Sequence, residues 1–430
     1  MKPILFFLTL FLSQNTLAAR APALDNSLEW VTQSASKKKS KRSRKARARL
    51  TKRFRVNSSS LKSSLRINVN RNNRLAPVVR DQLITKPNSE SYTWLGHFED
   101  EPDTLVGMVV NGPVVVGQIT SPAGNFRFKP HQDGSYSLVD SETPNMGSDC
   151  AAESHADSHD IGPSLGTASP SLIRDNVISV MVLYTEEAKR GAAPWWNNNN
   201  PAYIEGEIDL QMNLLQQALT YSWTSAQTQL VHTQEIPLAE DEDAFEDIYA
   251  YRSWVQNQMT SSGTPINQLR EAHEADLVSL WVQDGLNACG VGYIGSRSAH
   301  DHADYGVTVV DRRCHYKFTF THELGHNLGL RHDWYMDDTT VPYTYGHGWV
   351  SYYAEQRSMM AYDDACESAG FPCPRINRFS NPDLTYGGYP FGHHYIADNA
   401  RVLDERWQRV ANYRNSRLRA LLLTSASLSE

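Results

Sequence analysis

The stretch HELGHNLGLRHD, residues 322–333, places three histidines and a glutamate within twelve residues. On a helix, residues four apart share a face, so His322 and His326 present their imidazoles side by side. Glu323 lies about 100° round from His322 and still reaches a ligand shared with it. His332 breaks the pattern. Ten residues of unbroken helix would carry it about 15 Å beyond His322, whereas a zinc–nitrogen bond is about 2.0–2.1 Å. One ion can hold all three imidazoles only if the chain doubles back after His326, and Gly329 stands where that turn must come, because glycine accepts a left-handed helix cap at little cost. The spacing therefore predicts a helix, a glycine cap, a sharp turn and a third ligand. The alternative is a solvated helix with scattered histidines. Three protein ligands leave a fourth position for water, and Glu323 is the base that can take its proton and return it to a leaving amine.

Those residues need a scaffold. At 430 residues the chain has room for two or three domains. Its start, MKPILFFLTLFLSQNTLAARA, reads as an export signal over residues 1–18, with Lys2 as the positive end and an apolar core too short to span a bilayer. No later stretch is long enough either, so a soluble exported protein is expected, extracellular or periplasmic in transit. Five cysteines suit an oxidising compartment. Pairing Cys289 with Cys314 and Cys366 with Cys373 is the favoured arrangement, although four cysteines allow three pairings, and it leaves Cys150 over.

Charge is distributed unevenly. Residues 37–55 hold 12 of the 41 Lys and Arg, and the chain from Ser171 onward carries roughly −14 against about +7 before it. A basic run of this kind is expected to be a disordered arm, and residues 19–79 are read as such. An exported chain makes nucleic acid an unexpected partner, and attraction of this arm to the acidic half of the same chain is the competing reading. Residues 80–145 are β-rich, with runs such as TLVGMVVNGPVVVGQIT broken by NG and DG turns. Residues 146–175 are a polar linker. From residue 176 apolar runs (VISVMVLYT, ADLVSLWVQ, YGVTVV) alternate with a helical stripe at Ile208, Met212, Leu215 and Leu219. This predicts a mixed α/β half extending to residue 415, with residues 416–430 as a tail. The acidic EDEDAFEDI lacks the ligand spacing of a calcium loop, so Ca2+ has no support.

His322-Glu323-x-x-His326-x-x-Gly329-x-x-His332 resembles the signature of the metzincin clan of zinc endopeptidases. RSMMAY, residues 357–362, resembles its methionine turn, with Met360 aligned to the turn methionine. Asp333 after the third histidine, together with RFSNPDLTYGGYPFG and DNARVLDERWQRVANYR, resembles the bacterial reprolysin/adamalysin-like branch, including the peptidyl-Asp metallopeptidase group. TWLGHFEDEPD in the β-rich part is similar to the pro-domain of such enzymes.

This resemblance implies an α/β (α+β) metzincin-type zincin with a mixed twisted sheet and an active-site helix, one catalytic Zn2+, and protein or peptide substrates. It implies a secreted, monomeric endopeptidase made as a zymogen and inhibited by its own propeptide. It assigns His322, His326 and His332 to the metal, Glu323 to proton transfer and Asp333 to support of the loop after His332. Met-x-Tyr departs from the reprolysin pattern and matches astacins and serralysins, which makes Tyr362 either a fifth ligand or a transition-state donor, unless it only packs beneath the site. Cys150 takes the place of a cysteine switch, the alternatives being an exposed thiol or another disulfide. The segment Gly292, Tyr293, Ile294 and Gly295 is expected to be the edge along which an extended substrate adds a strand. Two other classes compete: a catalytically silent zinc-fold binding protein, which has no need of Glu323, and a secreted adhesin using the basic arm.

Overall fold

Alternation of apolar and polar residues between tight turns builds the N-terminal part of the molecule. The computed structural model describes residues 28–31, 53–56, 66–71, 74–86, 89–121, 124–140, 150, 177–241, 243–296 and 303–414. Nine strands, β1 (Leu28–Val31), β2 (Arg53–Val56), β3 (Arg66–Arg71), β4 (Arg74–Thr85), β5 (Tyr92–Phe98), β6 (Glu101–Asn111), β7 (Val114–Ser121), β8 (Gly124–Pro130) and β9 (Tyr136–Asp140), form one antiparallel sheet in the order β1-β2-β9-β8-β7-β6-β5-β4-β3. The β-rich part thus begins well before residue 80. Strands β1 to β3 and the first half of β4 come from the stretch expected to be disordered, and Phe54 is buried edge-on against Phe128, 5.1 Å between centroids. Short strands of mixed arginine and apolar residues gain their order from pairing across the sheet, which local composition does not display. The export signal, the linker apart from Cys150, most of the basic run and the tail lie outside the described residues.

The second sheet uses continuous apolar runs, as strands buried on both faces must. It comprises β10 (Ile178–Tyr184), β11 (Thr228–Glu235), β12 (Leu277–Val282), β13 (Gly290–Gly292) and β14 (Val307–Asp311), ordered β11-β10-β12-β14-β13, parallel except for β13 at the edge. Ile178, Val180 and Val182 feed one core while Met181 and Leu183 feed another on the opposite face. Around the sheet lie α1 (Glu186–Ala192), α2 (Ala202–Tyr221), α3 (Ile248–Thr260), α4 (Pro265–Ala272) and α5 (Thr319–Asn327), followed by α6 (Asp364–Ala369) and α7 (Asn399–Val410). Two small hairpins, β15 (Val350–Ser351) with β16 (Gln356–Arg357) and β17 (Asn381–Tyr386) with β18 (Tyr389–Phe391), stiffen the loop-rich end. The mixed α/β class expected from the sequence is therefore present.

Helix α2 joins the two sheets. Its stripe of Ile208, Met212, Leu215 and Leu219 is buried as expected, but so are Asp209, Gln211 and Gln217. The N-terminal part supplies partners for the first two, and Asn377 donates to Gln217 at 3.0 Å. Lys86 Nζ lies 2.6 Å from Asp209, and Gln211 donates to Gln118 and Asn213 to Thr93 at 3.0 and 2.9 Å. Disulfides Cys289–Cys314 and Cys366–Cys373 both form. The first ties the strand beside α5 to the 3-10 turn Arg312–Lys317 that leads into it.

Candidate metal centre

Nine residues, Thr319–Asn327, make up α5, and every one is buried. The helix ends as the glycine requires. Gly329 has φ +91°, its N–H donates to His326 O at 2.8 Å, and Leu330 N–H donates to Gly325 O at 3.0 Å. This paired closure is a Schellman cap, and it reverses the chain. Arg331 then bridges to the segment around His347, with Arg331 N–H on Gly346 O and Gly348 N–H on Arg331 O. His332 is thereby returned to the helix, and its Nε2 lies 2.9 Å from His326 Nε2.

Backbone carbonyls fix the ring orientations. His322 Nδ1 lies 3.0 Å from Met359 O, and His326 Nδ1 lies 2.9 Å from Leu330 O. A carbonyl only accepts, so Nδ1 carries the proton in both rings and each Nε2 keeps its lone pair. His322 Nε2 is buried with no hydrogen-bond partner among the described residues. Burial holds all three imidazoles below their ordinary range, His326 at about 4, and the nearby Arg375 charge adds to this. Three neutral rings with converging lone pairs are a soft nitrogen donor set, the chemistry that zinc takes.

Cys150 completes the cluster. Its Sγ and one nitrogen from each of His322, His326 and His332 all lie within 4.8 Å of one another. Sγ is 3.8 Å from His326 Nε2 and donates to Glu323 Oε2 at 3.5 Å. For a tetrahedral zinc, nitrogens stand about 3.3 Å apart and sulfur about 3.6 Å from nitrogen, given bonds of about 2.0–2.1 and 2.3 Å. His326 Nε2, 2.9 Å from His332 Nε2 and 3.8 Å from Sγ, stands close to those separations, and the donor types fit the ion. Burial, followed by the adjacent Glu323 charge, pushes the Cys150 thiol well up. Burial likewise lifts the Glu323 carboxyl to about 8, against the pull of the Cys150 hydrogen bond, Arg375 and Arg252.

The segment expected to be the methionine turn, residues 357–362, packs against α5. Met360 is fully buried, and a Cβ added at Gly325 would sit 2.6 Å from its sulfur, so thioether and helix are in direct contact. Asp333 accepts from Tyr362 N–H at 2.8 Å and from Tyr335 N–H at 3.1 Å, which joins the third-histidine loop to that turn. The Tyr362 ring packs 4.5 Å from the His332 ring, and its hydroxyl donates to Cys150 O at 3.1 Å.

The edge strand lies earlier in the chain than expected. The edge strand is Gly290–Gly292, so only Gly292 of the four residues belongs to it. Tyr293 and Ile294 have left the ladder, and Gly295 commits its N–H to His326 O at 2.7 Å. The glycines serve close packing instead. A Cβ at Gly290 would meet Glu323 Oε1 at 2.6 Å, and one at Gly292 would meet Glu323 O at 2.7 Å.

Three contributors were not apparent from spacing. His347 Nδ1 donates to His332 O at 2.7 Å. Arg375 donates to Lys317 O at 2.7 Å and to Ala361 O at 3.2 Å. Arg252 lies 3.6 Å over the Tyr293 ring. All come from distant segments with no local motif. A separate cavity of about 240 Å³ opens between the N-terminal sheet and the second half, bounded by Leu105, Thr120, Gln217, Phe318, Arg375 and Asn377, and no histidine of the cluster lines it.

Residues 218–385, which include α5 and residues 357–362, match the Metallo-peptidase family M12B Reprolysin-like. The chain is similar to the peptidyl-Asp metalloendopeptidase of Xanthomonas campestris pv. campestris, 29% identical over 316 residues, covering 71% of this chain and 69% of that one. It is similar to the protein of the same name from Stenotrophomonas maltophilia, 28% identical with 78% and 80% covered. The Pseudomonas fragi protein of that name is 38% identical over 98 residues, 23% of this chain and 59% of its own. No helix among the described residues is long and apolar enough to cross a membrane. The histidine cluster and these similarities together support a zinc metalloendopeptidase of the bacterial reprolysin-like kind.

Proposed function

We propose that this chain is a secreted endopeptidase of metzincin architecture, made as a zymogen, in which His322, His326 and His332 hold one zinc and Glu323 is the general base. The convergence of three imidazole nitrogens and the Cys150 sulfur within 4.8 Å carries the reading. Zinc bound there supplies a Lewis acid that polarises the scissile carbonyl and acidifies water. The protein does the rest. Glu323, buried beside the histidines, takes the proton from water and delivers it to the leaving amine. Tyr362, whose hydroxyl already donates to a carbonyl in the cleft, steadies the oxygen on which charge develops. Asp333 holds Tyr362 and His332 in register through backbone hydrogen bonds. Met360 gives the imidazoles an apolar floor.

In this reading residues 1–18 direct export, the N-terminal sheet is the body of the propeptide, and residues 176–415 are the catalytic domain. Cys150 is the inhibitory ligand, supported by its thiol at the cluster and its carbonyl under Tyr362. The substrate is an extended polypeptide cut beside aspartate, as the names of the similar enzymes state for them.

Peptide hydrolysis by the full-length chain tests this. Activity should disappear with a chelator and return with zinc, Glu323→Gln should abolish it, and Cys150→Ala should raise the activity of the unprocessed chain at least about tenfold. Hydrolysis that ignores the chelator, or an unprocessed chain equally active with and without Cys150, rules out the corresponding half of the proposal.

A further inference from the structure

The carboxylate of a substrate aspartate needs a cation near the zinc, and the catalytic residues supply none. Four arginines approach the cluster. Arg331 pairs with Asp337 at 2.7 Å, behind the third-histidine loop. Arg357 shares the Ala361 carbonyl, donating to it from Nη1 at 3.1 Å, but its other bonds run to Cys373 O and to Asp363, and among the described residues none reaches the helix entry. Arg252 lies on the Tyr293 ring, beside the edge strand. Arg375 differs in position. Its Nη1 donates to Lys317 O, on the segment entering α5, and its Nη2 to Ala361 O, between Met360 and Tyr362. It therefore bridges the two walls that flank the histidines, the helix entry on one side and the methionine turn on the other.

Arg375 is 6% exposed and also bounds the cavity between the N-terminal sheet and the second half. A guanidinium is always charged, is more weakly hydrated than an ammonium, and presents a planar fork that matches a carboxylate. Its carbonyl contacts hold the fork in place before substrate arrives, so little ordering is left to the moment of binding.

From this placement we infer that Arg375 is the specificity-determining residue, receiving the side-chain carboxylate of the aspartate next to the scissile bond. The inference rests on the endopeptidase reading above. Arg375 touches the substrate side chain and takes no part in proton transfer, so its loss should change which peptides are cut more than how fast a neutral one is cut.

The test uses the full-length zinc-loaded chain carrying Cys150→Ala and two peptides identical except for Asp or Asn at the residue beside the scissile bond. With Arg375 intact, kcat/KM for the Asp peptide should exceed that for the Asn peptide by about 10- to 100-fold, as expected for a charge-assisted contact. Arg375→Met should bring the ratio close to one while turnover of the Asn peptide stays within a few-fold. Arg375→Lys keeps the charge but loses the fork, and should lower the ratio at least about threefold. In the Glu323→Gln background, binding of the Asp peptide measured by fluorescence anisotropy should weaken about tenfold with Arg375→Met, and binding of the Asn peptide should not change. An unchanged ratio in either folded variant overturns the assignment. If the Arg375-intact chain cuts both peptides alike, this inference fails and the endopeptidase reading stands. If it cuts neither in a chelator-sensitive way, the endopeptidase reading fails and this inference falls with it.

Discussion

The candidate centre is assembled from two unlike regions. Helix α5 contributes His322, Glu323 and His326 from one turn of regular backbone, with positions set by local hydrogen bonds. The segment from Leu330 to Tyr362 contributes His332, Met360 and Tyr362 from irregular chain, positioned by carbonyls, the Asp333 carboxylate and His347. The first region would keep its geometry wherever the helix formed. The second has its geometry only when its long-range contacts are in place. Substitutions in the helix should therefore alter chemistry without disturbing the site, and substitutions in the loop should loosen the site itself.

Glu323→Gln gives the largest expected effect on the helix side. Because Gln is isosteric and the imidazoles are untouched, zinc should stay stoichiometric by metal analysis while kcat falls by about 10²- to 10⁴-fold. Loss of zinc in this variant would mean that the helix does not hold its ligands independently. On the loop side, Tyr362→Phe removes the donor proposed for the developing oxyanion and should lower kcat about 10²-fold with KM little changed. Retention of full kcat would leave Tyr362 as a packing residue only.

The same division explains what the sequence discloses. Helix, cap and third ligand follow from the spacing of His322, His326, Gly329 and His332, because helical periodicity and the left-handed glycine are local properties. Strands β10, β12 and β14 were legible as continuous apolar runs. The edge strand was misplaced by two residues, since a glycine-rich segment reveals its ladder only through the partner β14. Strands β1 to β3 were hidden among basic residues because their order comes from the sheet. The second buried face of α2 could not be read, as Asp209 and Gln211 are polar and acquire partners only from the N-terminal sheet. Arg375 lies 43 residues beyond His332 and carries no motif of its own.

Acid should separate the two regions next. In the metal-free chain, burial lowers the His326 pKa from 6.5 to about 4. Between those values the unfolded chain binds the proton that the folded chain refuses, so stability is complete above pH 6.5 and is lost as pH falls toward 4. That group alone accounts for about 3 kcal/mol over the window. Urea midpoints of the chelated chain should fall from pH 7 to pH 5, the three imidazoles outweighing the opposite slope of the Glu323 carboxyl, and zinc should raise the midpoint most at pH 7, because its ligands must be neutral. A zinc gain equal at both pH values would place the acid sensitivity outside the cluster. A smaller effect is expected for Asp333→Asn, which weakens the acceptor of the Tyr362 and Tyr335 N–H groups and should cost about 10- to 100-fold in zinc affinity by competition with a chelator.

The smallest expected change concerns Met360. Its sulfur contacts Gly325 directly, so the residue joins the two regions through packing rather than chemistry. Met360→Leu nearly conserves volume but replaces a flexible thioether with a branched chain, at an expected cost under about 1.5 kcal/mol in unfolding free energy. Glycine at 325 leaves no Cβ to take up the misfit, so the strain passes to the helix backbone between His322 and His326. If the loop region depends on the helix as its contacts suggest, zinc affinity should fall by no more than a few-fold while kcat for retained enzyme is unchanged. A large fall in kcat at full zinc occupancy would show that the sulfur tunes the centre electronically, and would make the methionine floor part of the chemistry.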